Sequence, residues 1–236
     1  MLLLPRAVTS ACRRADGGRR YFWGWLNAVF NKVDHDRIRA VGPDRAAAEW
    51  LLRCGAKVRF QGFDRWHLDY NALPTGPLGR YKIQAIDATE SCIMVRGFEH
   101  LDPMDRKWAC HVIEACRHGQ HVYETAPELI VHCIYGNVRE GLEHLEEIKL
   151  CRCMYIQDAC LERLSSIQNL QQSLFMMELV SCGNVTDKGV VALHRLRNLE
   201  YLFLSDLPGI KDRQATVDRL QRALPRLDVS LDLDPS

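Results

Sequence analysis

The C-terminal half of the chain alternates apolar and polar positions in short runs, each followed by apolar residues at helical spacing. Ile148-Lys-Leu150-Cys-Arg-Cys153-Met-Tyr-Ile156 precedes Leu161, Leu164 and Leu170. A shift of 29 residues places Met177, Leu179, Cys182, Val185, Val190, Leu193 and Leu199 at the same positions. A third copy, 25 residues further on, runs Leu202, Leu204, Leu207 and Ile210, then fades through Leu220 and Leu224. Ile83-Gln-Ala-Ile86-Asp-Ala88-Thr89 is a weaker strand-like element. A period of two predicts strands, and spacing near 3.6 predicts helices. One strand and one helix cannot bury their own apolar faces. The pattern therefore predicts an α/β fold of about four stacked strand–helix units.

The template, LxLxxC followed by a helix, is the signature of a leucine-rich-repeat solenoid. Ser181-Cys182-Gly-Asn-Val185-Thr-Asp187-Lys-Gly189-Val190 resembles the cysteine-containing class of those repeats. Cys153 and Cys182 then fall at a buried ladder position. Cys151 alternates with core Leu150 and points the other way, beside Lys149. The equivalent outward positions are Glu178 and Val180, Phe203 and Ser205, and Asp87 and Thr89. These residues form the predicted concave, partner-binding face.

Ahead of the repeats lies a unit of different character. Tyr21, Phe22, Trp23, Trp25 and Phe30 place five aromatics within ten residues. Gly42-Pro43-Asp44 opens a helix, because Pro suits the first turn and an acid suits the dipole there. Ala46, Ala47, Ala48, Trp50, Leu51 and Leu52 follow, and Gly55 stops it. The aromatics either close one end of the repeat domain as a helical cap or form an exposed anchor at a partner or membrane surface. Residues 71–79, NALPTGPLG, make the Pro/Gly-rich joint. The domain reading is a leader over 1–20, a helical N-terminal domain over 21–75, and repeats over 76–236.

Composition narrows the function. The 236 residues carry 31 Lys+Arg against 30 Asp+Glu, a formal charge of +1. That balance argues against a general nucleic-acid binder. No apolar run approaches the roughly 18 residues of a spanning helix. Arg6, Arg13, Arg14, Arg19 and Arg20 face a single acid, Asp16, in the first twenty residues, as in a mitochondrial presequence. A reducing matrix would keep the ten cysteines mostly as thiols.

Longer strings carry a closer resemblance. YFWGWLNAVFNKVDHDRIRAVGPDRAAAEWLLRCGA, YKIQAIDATESCIM, GLEHLEEIKLCRC, SCGNVTDKGVVAL and RNLEYLFLSDLPG are similar to the mitochondrial ATP synthase subunit s (coupling factor B) family. The resemblance implies a noncatalytic, peripheral protein on the matrix side of the inner membrane, with an N-terminal domain and four leucine-rich repeats. It implies association with the membrane sector of ATP synthase and coupling preserved by blocking a proton leak. A related protein assembles respiratory complex I, so a complex I assembly intermediate is the alternative partner. Self-association into a homo-oligomer stays open. The resemblance further implies a magnesium site, which falls on Gly55 and Thr89, and a reactive dithiol, which matches Cys151 and Cys153. Hard oxygen donors suit magnesium, which keeps several waters. An i,i+2 disulfide between Cys151 and Cys153 would be strained.

Residues 101–139 depart from that pattern as an insertion. They hold Cys110, Cys116, Cys133, His111, His118, His121 and His132. Zinc is the tempting ligand, yet neither a CxxC pair nor an HxxxH knuckle is present. An additional exon or retained intronic sequence, looping out or forming a helix near Trp108 to Cys116, is the competing reading. The chain also lacks GxGxxG, GxxxxGK[ST], GxSxG and HExxH, so no enzyme class is expected.

Overall fold

The computed structural model describes residues 17–101 and 142–231, with side chains from residue 24 onward. Helix α1 spans Gly17–Phe30, so the boundary expected at residue 20 falls inside a helix. Residues 1–16 of the leader and residues 102–139 of the insertion, including its Cys and His residues, lie outside the described residues. Leu101, the first residue of that insertion, is buried.

Helix α2, His35–Val41, starts on Asp34, whose carboxylate accepts the Arg37 N–H. Gly42 ends it at φ 82° and begins α3, Pro43–Arg53, with Pro in the first turn. Gly55 (φ 87°) then turns the chain away, a left-handed conformation that glycine adopts at little steric cost. Trp50, Leu51 and Leu52 of α3 are buried. Asn31 ties α1 to this core by donating to the Cys92 carbonyl at 2.9 Å while accepting from Trp50 Nε1 at 3.3 Å. Phe30 packs against the core, whereas Trp25 is 63% exposed. Of the aromatics described, Phe30 thus belongs to the cap and Trp25 to the outward surface.

Among the described residues six strands form one mixed sheet in sequence order. They are β1 (Lys57–Phe60), β2 (Ile83–Asp87), β3 (Glu147–Cys151), β4 (Met176–Val180), β5 (Tyr201–Ser205) and β6 (Asp228–Leu231). Strand β1 pairs antiparallel with β2, and every later pairing is parallel. The presence of β1 corrects the purely helical reading of 21–75. Its four residues alternate half-buried and buried, and it lies outside the 29- and 25-residue spacing that marks β3, β4 and β5. Strand β6 was likewise hidden, since its outer positions are exposed and polar.

Helices α4 (Asp158–Ser165), α5 (Gln168–Ser173), α6 (Asp187–Ala192) and α7 (Arg213–Ala223) connect β3 to β6. The inward strand positions Ile148, Leu150, Met177, Leu179, Leu202 and Leu204 share one core with Leu161, Leu164, Val190, Leu193 and Leu220. Truncating one such leucine to alanine typically costs about 2–5 kcal/mol.

After each of β2 to β5 the chain turns through a left-handed residue that is not glycine: Glu90, Arg152, Ser181 and Asp206, at φ 47–57°. The first three donate their N–H to the end of the next strand. Glu90 reaches Cys151 O, Arg152 reaches Val180 O, and Ser181 reaches Ser205 O, at 2.8–3.0 Å. This turn aims Cys153 and Cys182 inward. Their thiols donate to the carbonyls of Ala88 (2.8 Å) and Leu150 (3.3 Å), each in the preceding unit.

Candidate functional site

Parallel register converts the outward strand positions into rows across the sheet. One row runs Lys57, Asp87, Lys149, Glu178, Phe203 and Ser230. Its charges alternate and pair: Lys57 Nζ lies 3.0 Å from Asp87 Oδ2, and Lys149 Nζ lies 2.6 Å from Glu178 Oε1. The Glu178 carboxylate raises the Lys149 pKa. Burial pushes the Asp87 carboxyl up, but hydrogen bonds from Thr89 and Lys57 outweigh it and hold the group below the usual range.

A parallel row holds Arg59, Ala85, Glu147, Met176, Tyr201 and Asp228. Arg59 Nη2 reaches Glu147 Oε1 at 2.9 Å, spanning β2 where Ala85 leaves room. The Arg59 guanidinium also sits 5.3 Å from the Trp66 ring. A third row is Cys151, Val180 and Ser205. The face therefore divides into an ion-paired half over β1 to β4 and an apolar half formed by Met176, Val180, Phe203 and Tyr201. Tyr201 is 50% exposed and meets Phe175 edge-on at 6.0 Å. Such a surface can bind a protein partner through aromatic anchors with a polar surround.

The register thus brings Asp87, Lys149, Cys151, Glu178, Val180, Phe203 and Ser205 to one face. Counting back two positions from Lys149, Glu178 and Phe203 would have found Glu147, Met176 and Tyr201. Lys57 and Arg59 carried no such signal, because their strand runs the opposite way.

Gly55 and Thr89 lie two residues beyond the antiparallel Lys57–Asp87 pair, Gly55 before β1 and Thr89 after β2. Thr89 Oγ1 donates to Asp87 Oδ1 at 2.6 Å, and the Gly55 N–H donates to Leu52 O at 3.1 Å. The donors the two residues offer are a carbonyl and a hydroxyl, hard and neutral, of the kind magnesium accepts alongside water. Among the described residues, no group of three or more His, Cys, Asp or Glu is placed to hold a metal.

The two thiols differ. Cys151 is half-buried, and burial pushes its pKa up. Cys153 is 1% exposed. Its contact with the Cys182 thiol and its burial both raise its pKa.

No family model matches the chain. Over 214 residues, covering 91% of this chain and 88% of each relative, it is 56% identical to "ATP synthase subunit s, mitochondrial" of Bos taurus and 54% identical to that of Homo sapiens. The Mus musculus protein of the same name is 50% identical over the same share.

Proposed function

This chain belongs to the mitochondrial ATP synthase subunit s family, and from that premise we propose that it is a noncatalytic coupling component of mitochondrial ATP synthase. The observation that carries the reading is identity of 50–56% over nine-tenths of the chain with proteins bearing that name. In this reading the chain works on the matrix side of the inner membrane, and the Arg-rich stretch ahead of α1 is its import leader. Its strand–helix units are leucine-rich repeats of the cysteine-containing type. The left-handed turn that recurs after β2, β3, β4 and β5 supports that description.

The open sheet face is the docking surface, with Phe203 as an anchor and Lys149 fixing the polar part of the contact. No helix among the described residues is long and apolar enough to cross a membrane. The chain acts on proton flow by docking against the membrane sector and closing a leak there. Magnesium would be held by the Gly55 carbonyl and the Thr89 hydroxyl, with water completing its shell, and would brace the junction between α3 and the sheet.

Blue-native separation of mitochondrial complexes tests the proposal. The wild-type chain should run with ATP synthase, and the combined Lys149→Ala and Phe203→Ala variant should lose that co-migration while staying folded. Undiminished co-migration of the variant, or migration of the wild type with a complex I intermediate, would overturn it.

A further inference from the structure

The unpaired negative charge of this surface is concentrated at one end of the strands. Glu146, Phe175 and Glu200 immediately precede β3, β4 and β5 at equivalent positions. Backbone bonds link them: the Phe175 N–H donates to Glu146 O at 3.0 Å, and the Glu200 N–H donates to Phe175 O at 2.9 Å. These turns, with Glu143, His144 and Ser173, line a cleft of about 450 Å³.

On the sheet face itself Asp87, Glu147 and Glu178 each have a lysine or arginine partner. In the cleft, Glu146 Oε2 accepts only a neutral amide, from Gln84 Nε2 at 2.9 Å. Glu143 and Glu200 pair with no cation among the described residues. Arg197, in the same set of turns, is exposed and does not line the cleft. Among the described residues, two oxygens in its wall, Glu143 Oε1 and Ser173 Oγ, are buried with no hydrogen-bond partner. A buried polar atom without a partner is costly, and an incoming donor would relieve it. At the rim stands the Phe175–Tyr201 pair, with Tyr201 half exposed.

Carboxylates beside an aromatic face suit one class of side chain. A lysine or arginine can donate to the oxygens and lie against the ring, while phosphates and nucleic acid are repelled. We propose that this cleft receives a basic segment of a partner protein, its Lys or Arg side chains entering between Glu143, Glu146 and Glu200 and a neighbouring apolar residue covering Tyr201. The inference rests on the docking reading above and specifies the partner's chemistry.

The test titrates the full chain with a fluorescein-labelled peptide of alternating Lys and Leu, against a Glu-Leu peptide of equal length, at physiological salt. The Lys-Leu peptide should bind about tenfold more tightly, and the combined Glu143→Gln and Glu200→Gln variant should lose most of that preference. Tyr201→Ala should weaken binding of the same peptide. Equal binding of the two peptides, or unchanged affinity in the folded variants, would overturn the proposal. Blue-native migration of the Glu143→Gln, Glu200→Gln variant separates this inference from the docking reading. Full co-migration would overturn the cleft's role while leaving docking through Phe203 intact, and reduced co-migration would support the cleft.

Discussion

Asp158 at the start of α4 binds Thr186 at the start of α6, taking its N–H at 2.8 Å and its hydroxyl at 2.6 Å. Asp187, 29 residues on, repeats the arrangement. It accepts from the N–H groups of Lys211 and Asp212 and from the Thr216 hydroxyl. Each aspartate thereby links its own unit to the following one. Asp158→Ala removes two charge-assisted bonds and should cost about 1–3 kcal/mol in chemical denaturation. Gly189→Ala should be comparably harmful, because a Cβ there would meet Asp158 Oδ1 at 2.3 Å and its Cα at 2.9 Å. A loss under a few tenths of a kcal/mol for either variant would show that the units hold together without this contact.

The left-handed turn at Ser181 makes the opposite prediction. Its φ of 51° is costly for any residue with a Cβ. Its bond to Ser205 O uses the backbone alone. Ser181→Gly should stabilise the chain by up to about 1 kcal/mol, and Ser181→Val should destabilise it. Melting temperatures of the two variants, moving in opposite directions, check the point.

The proposed dithiol should react unevenly. Iodoacetamide at neutral pH should modify Cys151 first, slowly because burial raises its pKa. Cys153, enclosed between the Ala88 carbonyl and Cys182, should react only once the chain unfolds. Mass mapping of the labelled peptides over time decides this. Equal native rates at the two positions would rule out the enclosed placement, and an arsenical bridging both thiols should require the turn at Arg152 to open.

Acid should weaken the fold through His100. The ring is 1% exposed and stacks on Trp50 with centroids 5.1 Å apart. Burial lowers its pKa from 6.5 to about 4, against an upward pull from the Lys32 backbone. A depressed folded-state pKa contributes stability that is complete above 6.5 and is lost as pH falls through about 4. Between pH 7 and pH 4.5 the loss should be about 2 kcal/mol. His100→Phe keeps an aromatic ring and removes the titrating group. Its denaturation midpoint should fall less over that interval, and an identical fall would exclude His100 as the source.

Magnesium should stabilise the wild-type chain and not Thr89→Val. At ten times its dissociation constant a ligand specific for the folded state adds about 1.4 kcal/mol. Thermal denaturation with and without magnesium measures this. No wild-type shift, or an equal shift in the variant, would remove Gly55 and Thr89 from the site.

The sequence by itself determined which residues of the repeats turn inward and which turn outward. A strand has period two, and the pattern recurs at spacings of 29 and 25 residues, so the sequence alone places Lys149, Glu178 and Phe203 in one row. The helix from Pro43 was equally legible, because Gly, Pro and Asp at its start and Gly55 after its end act locally. Tertiary structure decided what long-range pairing alone can specify. Strand β1 depends on the antiparallel register with β2, which no period encodes, and it supplies Lys57 and Arg59 to the face. The same pairing sets Gly55 and Thr89 at corresponding distances beyond Lys57 and Asp87. The left-handed turns carry no sequence mark, because Glu90, Arg152, Ser181 and Asp206 stand where glycine normally signals such a conformation. The backbone bond to the next strand holds three of them there. The cleft exists only because stacking brings together turns 29 and 25 residues apart, leaving Glu143, Glu146 and Glu200 side by side where the sequence keeps them separate.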